Sequence, residues 1–181
     1  EVIGYEENRY ILRDAQALNV VDKTENNLRK LVEKADILVL AVPYHTLKEM
    51  MPIIGDAFQE HCLVLDFSSL KSPGLKLAEK YMKQGHYVAA SPVFAANRLF
   101  DGRNDVASAS ADEFKKSVFC LMPSPKANPE AVETAVNFGH LIGAVPYFVD
   151  AMEFDVLQTG VQTVPGLLAA ALFKVNSVGL F

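Results

Sequence analysis

Six consecutive apolar residues, Ile37 to Val42, constrain the fold of this chain more than any other stretch. An unbroken apolar run of this length is typical of a parallel strand that helices cover on both faces. Pro43 follows directly and ends the run. We therefore expect a central strand of an α/β sheet here.

A second run, Cys62 to Leu65, is too short for a buried helix and predicts another covered strand. It stops at Asp66, and a helical pattern follows with Pro73 near its first turn, where proline is tolerated. The turn Asp66 to Lys71 should thus lie at the carboxyl end of a strand and the amino end of a helix. Ligands bind at this place in open α/β sheets, and helix-start amides favour anions. An ordinary turn with serine as the helix cap is the alternative.

The rest of the chain alternates between short strand and helix patterns, which predicts a doubly wound parallel sheet of the α/β class. The other predicted strands are Glu1 to Tyr5, Val20 to Val21, Tyr87 to Ala90, Val118 to Met122 and Val145 to Val149. The predicted helices are Arg9 to Leu18, Asn27 to Lys34, Thr46 to Phe58, one ending at Met82, Pro129 to Ile142 and one from Asp150, interrupted around Gly160 to Gly166 by Pro165.

The segment from Ser91 to Lys116 breaks this alternation because it is long and only weakly periodic. We expect a surface excursion, with a helical turn near Ala111 to Phe114. Long loops in compact domains are often functional, but the sequence does not define a role for residues 97–117.

Composition excludes several classes of partner. The 181 residues carry a net charge of −5 with scattered basic residues, which argues against nucleic acid and against an anionic membrane surface. No apolar run was expected to be long enough to cross a bilayer. Cys62 and Cys120 both lie in apolar strand-like runs, which indicates buried thiols in a reducing, cytoplasmic setting. No grouping of His, Cys and Asp has metal-ligand spacing, so we predict no metal.

Both ends of the sequence suggest a piece of a longer protein. The chain begins inside a strand-like run without an initiator Met, and it ends in an apolar helical pattern, Leu167 to Phe181.

An acidic pair after the first strand points to dinucleotide binding. In a complete doubly wound domain, an acidic residue at the end of the second strand binds the adenosine ribose, about 20 residues after a glycine-rich turn. The first strand of this chain would correspond to that second strand. Glu6, or Glu7, would be that residue, with the glycine-rich turn upstream of Glu1. A solvated carboxylate at a helix start is the alternative.

Taken together, six segments resemble the prephenate and arogenate dehydrogenases of tyrosine biosynthesis over nearly the whole chain. In order they are Ala35 to Pro43, Leu65 to Lys71, Val88 to Pro92, Leu99 to Arg103, Met122 to Glu130 and Val164 to Leu172. The resemblance implies a nicotinamide-cofactor domain of Rossmann type over residues 1–149, lacking its first strand and glycine loop. It also implies that residues 150–181 begin a helical dimerisation domain. The implied cofactor is NAD, with NADP possible.

The resemblance assigns roles residue by residue. Ser69 corresponds to the serine that contacts the substrate near the nicotinamide, and Ala41, Val42 and Pro43 correspond to residues that line the cofactor. We also assign Asp66 and Ser68, in the same turn as Ser69, to the cofactor site.

Two histidine-bearing stretches of the family differ here. Ser91 stands where the family has its catalytic histidine, and Gln162 to Gly166 stand where it has Ser-His-Leu-Pro-His. In the family, hydride leaves a ring carbon, carbon dioxide departs, and the ring hydroxyl becomes a carbonyl, so its proton must be accepted. Histidine suits that role near neutral pH. Of the four histidines, His45 alone should lie at the carboxyl end of the sheet, where it is a candidate catalytic residue or an exposed helix-start histidine.

Three functional hypotheses follow. The first is a dehydrogenase that acts on prephenate or arogenate as a homodimer formed through its carboxyl-terminal helices. The second is a cofactor-binding relative without catalysis that has a regulatory or interaction role. The third is a related dehydrogenase acting on another small acid. The absent histidines favour the second hypothesis, whereas Ser69 and Lys71 favour the first.

Overall fold

The computed structural model describes residues 1–94 and 110–178. Most of the predicted excursion, including Leu99 to Arg103, lies outside the described residues. The strands are β1 (Ile3–Gly4), β2 (Lys23–Thr24), β3 (Ile37–Leu40), β4 (Leu63–Asp66), β5 (His86–Pro92), β6 (Val118–Pro123) and β7 (Val145–Phe148). The helices are α1 (Arg9–Ala17), α2 (Leu28–Val32), α3 (Tyr44–Ala57), α4 (Lys71–Tyr81), α5 (Pro129–Leu141), α6 (Ala151–Gln158) and α7 (Val164–Val178), with a π-helical segment at Thr159–Thr163.

A five-stranded sheet in the order β3-β4-β5-β6-β7 forms the centre of the fold. β3, β4 and β5 are parallel, and their register aligns Leu40, Asp66 and Ala89 across the sheet. β6 runs antiparallel to β5, and β7 runs parallel to β6. β1 and β2 form a separate parallel pair. The predicted α/β fold is confirmed, with the refinement that β6 and β7 run antiparallel to β3, β4 and β5.

Residues of β4 and its neighbours alternate between two cores. Cys62 and Val64 face one cluster, which α2, α3, α4 and α6 cover. Leu63 and Leu65 face the other, which α5 covers with Ala131 and Ala135. The prediction that the Cys62 to Leu65 run is covered on both faces is confirmed. Cys62 and Cys120 are buried and free, as predicted.

Two strand predictions are wrong. The run Ile37 to Val42 was expected to be central, but β3 borders the five-stranded sheet, and Ile37 and Val39 remain 40 % and 41 % exposed. The second strand was expected at Val20 to Val21. Val20 instead donates its amide to the Ala15 carbonyl, closing the end of α1, and the strand begins at Lys23.

Helix boundaries follow their capping residues. Asn128 accepts a hydrogen bond from the Ala131 amide, and Pro129 occupies the first turn of α5, as predicted. Gly143 follows the end of α5 with a φ of +80°, a left-handed conformation that glycine adopts without strain.

The carboxyl-terminal helix is more continuous than the sequence predicted. Pro165 was expected to interrupt it, but the π-helical segment joins α6 to α7. Because of this continuity, Ala151–Lys174 is long and apolar enough to cross a membrane by length and composition, a feature that the sequence reasoning missed. Phe154, near its start, is buried against the core. Most apolar side chains further along are exposed: Val161, Val164, Leu167, Leu168, Leu172 and Phe173.

Candidate active site

The turn that follows β4 is organised around the buried carboxylate of Asp66. Its Oδ1 accepts the Ser68 amide at 2.8 Å, and its Oδ2 accepts the Ser68 hydroxyl at 2.9 Å and the Tyr87 hydroxyl at 2.6 Å. Burial, and then the adjacent Asp66, raise the pKa of Tyr87 well above its ordinary value, so Tyr87 remains a hydrogen-bond donor. Gly74 allows α4 to pack this closely, since a Cβ there would lie 2.7 Å from Asp66 Oδ2.

Lys71 ties the ends of β4 and β5 together from inside the protein. Its Nζ donates to the carbonyls of Asp66 at 3.1 Å and Ala90 at 2.7 Å, and also to that of Ser68. The side chain is only 1 % exposed. Burial lowers the pKa of Lys71 to about 8, although the nearby carboxylates of Asp66 and Asp155 oppose this shift.

Asp155 of α6 caps the amino end of α4. Its Oδ1 accepts the Lys71 amide at 2.8 Å, and its Oδ2 accepts the Ser72 amide at 2.9 Å. These two amides would otherwise lack intrahelical partners. The α6 helix, which follows β7, therefore fixes the amino end of α4.

The fixed turn presents Ser69 to solvent. Ser68, before it in the chain, and Lys71, two residues after it, are buried, but Ser69 is exposed. The Ser69 hydroxyl has no hydrogen-bond partner among the described residues. Ser91 is half-buried in β5 and pairs with Cys120 of β6. It directly follows Ala90, whose carbonyl accepts a hydrogen bond from Lys71. Because β4 and β5 are parallel, both serines lie at the same edge of the sheet.

The predicted cofactor-lining residues after β3 share this edge. The Phe67 amide donates to the Leu40 carbonyl, so the chain leaves β3 beside the turn that carries Ser69. Ala41 and Pro43 are exposed, whereas Val42 packs partly against the core. His45 is the second residue of α3 and is exposed.

Other histidines lie elsewhere. His61 precedes β4, with its Nε2 3.6 Å from Asp36 Oδ1, and His86 begins β5, so both lie at the opposite edge, as predicted. His140 is exposed in the last turn of α5.

Glu6 lies just after β1 and is exposed. Its carboxylate accepts the Asn8 amide at 2.9 Å, which fixes the turn into α1. A cavity of about 350 Å³ lies beyond that turn, lined by Arg9, Leu12, Thr24, Glu25 and Asn26. The ends of two parallel strands, β1 and β2, thus meet at a concave, polar surface.

Sequence reasoning assigned Asp66 and Ser68 to the cofactor, but their side chains are buried and hydrogen-bonded to each other. It did not assign Tyr87 or Asp155, which lie 21 and 84 residues away from their partners Asp66 and Lys71 along the chain. The resemblance drew attention to Lys71, but the sequence did not predict that its side chain is buried. Among the described residues, no group of three His, Cys, Asp or Glu side chains could hold a metal.

Solved structures share this fold. Prephenate dehydrogenase from Aquifex aeolicus superposes with a TM-score of 0.82 at 18 % identity, covering 96 % of this chain and 60 % of that one. The same enzyme in complex with hydroxyphenyl propionate and NAD+ gives 0.81 at 19 % identity, covering 96 % of this chain and 59 % of that one. Likeness at this identity establishes the fold.

Two proteins with similar sequences carry related descriptions. A protein of Methanocaldococcus jannaschii described as a probable arogenate/prephenate dehydrogenase is 26 % identical over 144 residues, covering 78 % of this chain and 29 % of that protein. The cyclohexadienyl dehydrogenase of Zymomonas mobilis is 19 % identical over 173 residues, covering 96 % of this chain and 57 % of that protein. The chain thus spans between about a third and somewhat over half of these relatives' lengths.

The sequence model of the family described as prephenate dehydrogenase, nucleotide-binding domain, matches residues 1–148, which include β1 to β7 and the turn that carries Ser69. This chain therefore belongs to the prephenate dehydrogenase nucleotide-binding domain family.

Proposed function

We propose that this protein is a nicotinamide-dependent dehydrogenase that oxidatively decarboxylates prephenate or arogenate. The observation that carries the proposal is the turn after β4. The Asp66 carboxylate accepts the Ser68 amide and the Lys71 ammonium donates to the Asp66 carbonyl, which fixes the backbone, while Ser69 is left exposed at the carboxyl edge of the sheet. This is the edge where open α/β sheets bind their ligands.

Exposed residues after β1 and after β3 fit a dinucleotide. Ala41 and Pro43 leave an open surface after β3, and the Glu6 carboxylate after β1 can accept hydrogen bonds from a ribose diol. NAD, when bound, accepts the hydride that leaves the substrate ring. We infer that NAD is preferred to NADP because the Glu6 carboxylate would repel a 2′-phosphate.

The protein's own residues would then orient the substrate and take up a proton. In our mechanism, Ser69 hydrogen-bonds the reacting end of the substrate, whose ring hydroxyl loses its proton as hydride and carbon dioxide leave. Among the described residues, no histidine side chain hydrogen-bonds Ser91 and could make it a base. The proton acceptor in this proposal is His45 or a water molecule, since His45 is exposed at the same edge.

We further infer that residues 150–181 begin a helical domain through which two copies associate. α7 is apolar on most of its circumference, and its side chains Leu167, Leu168 and Phe173 are exposed. Helices of this kind are buried in larger assemblies. The buried thiols and the small-molecule substrate also suit our proposal of a cytoplasmic enzyme.

A specific observation keeps a second candidate open. The resemblance places Ser91 where the family has its catalytic histidine, and Ser91 is half-buried in β5, so a cofactor-binding relative with a regulatory role is the alternative. The full-length protein should be incubated with NAD and either prephenate or arogenate, while the absorbance of reduced NAD is followed. Turnover with one of these acids supports the dehydrogenase. Saturable NAD binding without turnover supports the alternative, and loss of both refutes the two proposals together.

A further inference from the structure

A cavity of about 370 Å³ runs along α4, from Ser72 in its first turn to Met82 just past its end. One wall is a single face of α4, and the others are the turn before β5, the turn after β6 and the start of α6. We call it the α4 groove; its lining includes Leu75, Met82 and Tyr87 and the three lysines Lys76, Lys83 and Lys126. Because β5 starts at His86 and the antiparallel β6 stops at Pro123, most of the groove lies toward the sheet edge opposite the candidate active site.

The floor of the α4 groove is apolar. Leu75, Ala78 and Met82 come from α4, and Tyr87 comes from β5. Ala78, Met82 and Tyr87 are already buried, so they form a fixed surface. The volume falls within the range of small-molecule pockets and is too small for a docked helix. An occupant should therefore be a small molecule with an apolar body.

The rim of the α4 groove carries excess positive charge. Lys76, Lys83 and Lys126 line it, and none lies within ion-pair distance of a carboxylate in the described part of the chain. Two carboxylates, Glu79 and Asp150, oppose them. The Asp150 carboxylate is engaged by the amides at the start of α6. In a chain of net charge −5, this local excess favours an anion.

The end of the α4 groove nearest Lys71 holds an unsatisfied polar atom. Ser72 Oγ is buried and has no hydrogen-bond partner within the described residues. Buried hydroxyls without a partner are uncommon, and a bound ligand or water supplies what is missing. When the Ser72 side chain rotates toward the groove, its hydroxyl can be satisfied by a polar group of an occupant.

We propose that the α4 groove is a second binding site, for a small carboxylate with an apolar body such as an aryl or branched alkyl chain. The apolar body lies on Leu75, Met82 and Tyr87. The lysines of the rim attract the carboxylate, and Ser72 Oγ hydrogen-bonds a polar atom of the ligand. This site is separate from the one that carries Ser69 and does not depend on the proposed dehydrogenase activity.

The test uses full-length protein and isothermal titration with 4-phenylbutyrate as the probe, compared with its neutral analogue 4-phenylbutan-1-ol. We expect saturable binding of the acid and about fivefold weaker binding of the alcohol, since removal of the charge removes the ion pairs. Binding should persist at saturating NAD and in Ser69→Ala. The proposal is overturned if the acid does not bind, which includes the case in which another part of the full chain covers the groove. It is also overturned if Ser69→Ala loses binding.

Variants locate the probe within the protein. The double variant Lys83→Gln/Lys126→Gln should weaken binding of the acid by about fivefold or more and leave binding of the alcohol unchanged. Lys34→Gln, an exposed lysine outside the groove, is the matched control and should change neither. Leu75→Trp should fill the groove and abolish binding of both. Unchanged binding in the double lysine variant contradicts the proposal even if Leu75→Trp does not fold.

Discussion

Asp155 and Lys71 are joined by a hydrogen bond of 2.8 Å between a carboxylate oxygen of α6 and the first amide of α4. The same carboxylate binds the Ser72 amide at 2.9 Å. The position of Ser69 thus depends on a residue that lies 84 positions beyond Lys71 in the chain.

Removal of this cap should weaken the fold and loosen the turn. We expect Asp155→Ala to lower the free energy of unfolding by about 1–2 kcal/mol, the usual cost of losing a helix cap. Urea denaturation measures the loss, and hydrogen exchange at the Lys71 and Ser72 amides should become faster. Glu153→Gln, two residues earlier on the same helix and exposed, is the control and should leave exchange at both amides unchanged. Equal exchange in Asp155→Ala and wild type would contradict the capping role.

Lys71 should make stability depend on pH in the alkaline range. Burial holds its pKa at about 8, below the ordinary value of 10.5, so the folded state binds this proton less tightly than the unfolded state does. The contribution of Lys71 to stability should therefore rise between about pH 8 and 10.5, by up to about 3 kcal/mol.

Comparison of the unfolding free energies of wild type and Lys71→Met across that range isolates the effect. The difference, wild type minus variant, should grow with pH. An NMR titration of the Lys71 side chain in wild type gives a second readout, independent of whether the variant folds. A midpoint at or above 10 would contradict the account.

Glu6 should set the cofactor preference. Wild type should bind NAD more tightly than NADP in calorimetry, and Glu6→Ser should improve NADP binding, since the carboxylate that would repel the 2′-phosphate is gone. Glu7→Ser removes the neighbouring charge and is the control. Equal or tighter binding of NADP by wild type would show that the exposed Arg9, which lines the adjacent cavity, dominates instead.

The exposed face of α7 should hold two copies together. Full-length protein should elute as a dimer, and Leu168→Lys with Leu172→Lys should yield monomers because charges would be buried at the interface. Lys76→Gln, on the surface of α4, is the control and should leave the dimer intact. A wild-type monomer at high micromolar concentration would refute the association.

The fold was predictable from the sequence where local signals agree. The longer apolar runs, the Asn128 cap and Gly143 each act within a few residues, and the corresponding elements appear where expected, whereas the short pair Val20 to Val21 did not form a strand. The antiparallel direction of β6 was not predictable, because strand direction depends on the path of the long segment before it.

The candidate site was only partly predictable for a related reason. The Ser69 turn follows from a strand-to-helix transition, which is local. The contacts that fix it, Tyr87 to Asp66 and Asp155 to the start of α4, join residues far apart in the chain and leave no periodic pattern. The burial of Lys71 likewise depends on Phe154, whose ring lies 5.7 Å from its Nζ.

The proton acceptor can be identified from the pH–rate profile. If His45 accepts the proton, wild-type kcat/KM should fall toward acidic pH, and His45→Asn should abolish that fall. His140→Asn, on the remote α5, should keep the wild-type profile. A wild-type profile without an acid limb, or one that His45→Asn leaves unchanged, would exclude His45 and favour water.

The kcat/KM of Ser69→Ala, measured with NAD and whichever acid wild type accepts, tests the central claim most directly. We expect a loss of about 1–3 kcal/mol in transition-state stabilisation with unchanged NAD affinity, because in our proposal the exposed hydroxyl hydrogen-bonds the substrate. Thr134→Ala removes a hydroxyl from α5 and should match wild type. A Ser69→Ala enzyme with wild-type kcat/KM, or a wild-type protein without turnover on either acid, would contradict the account.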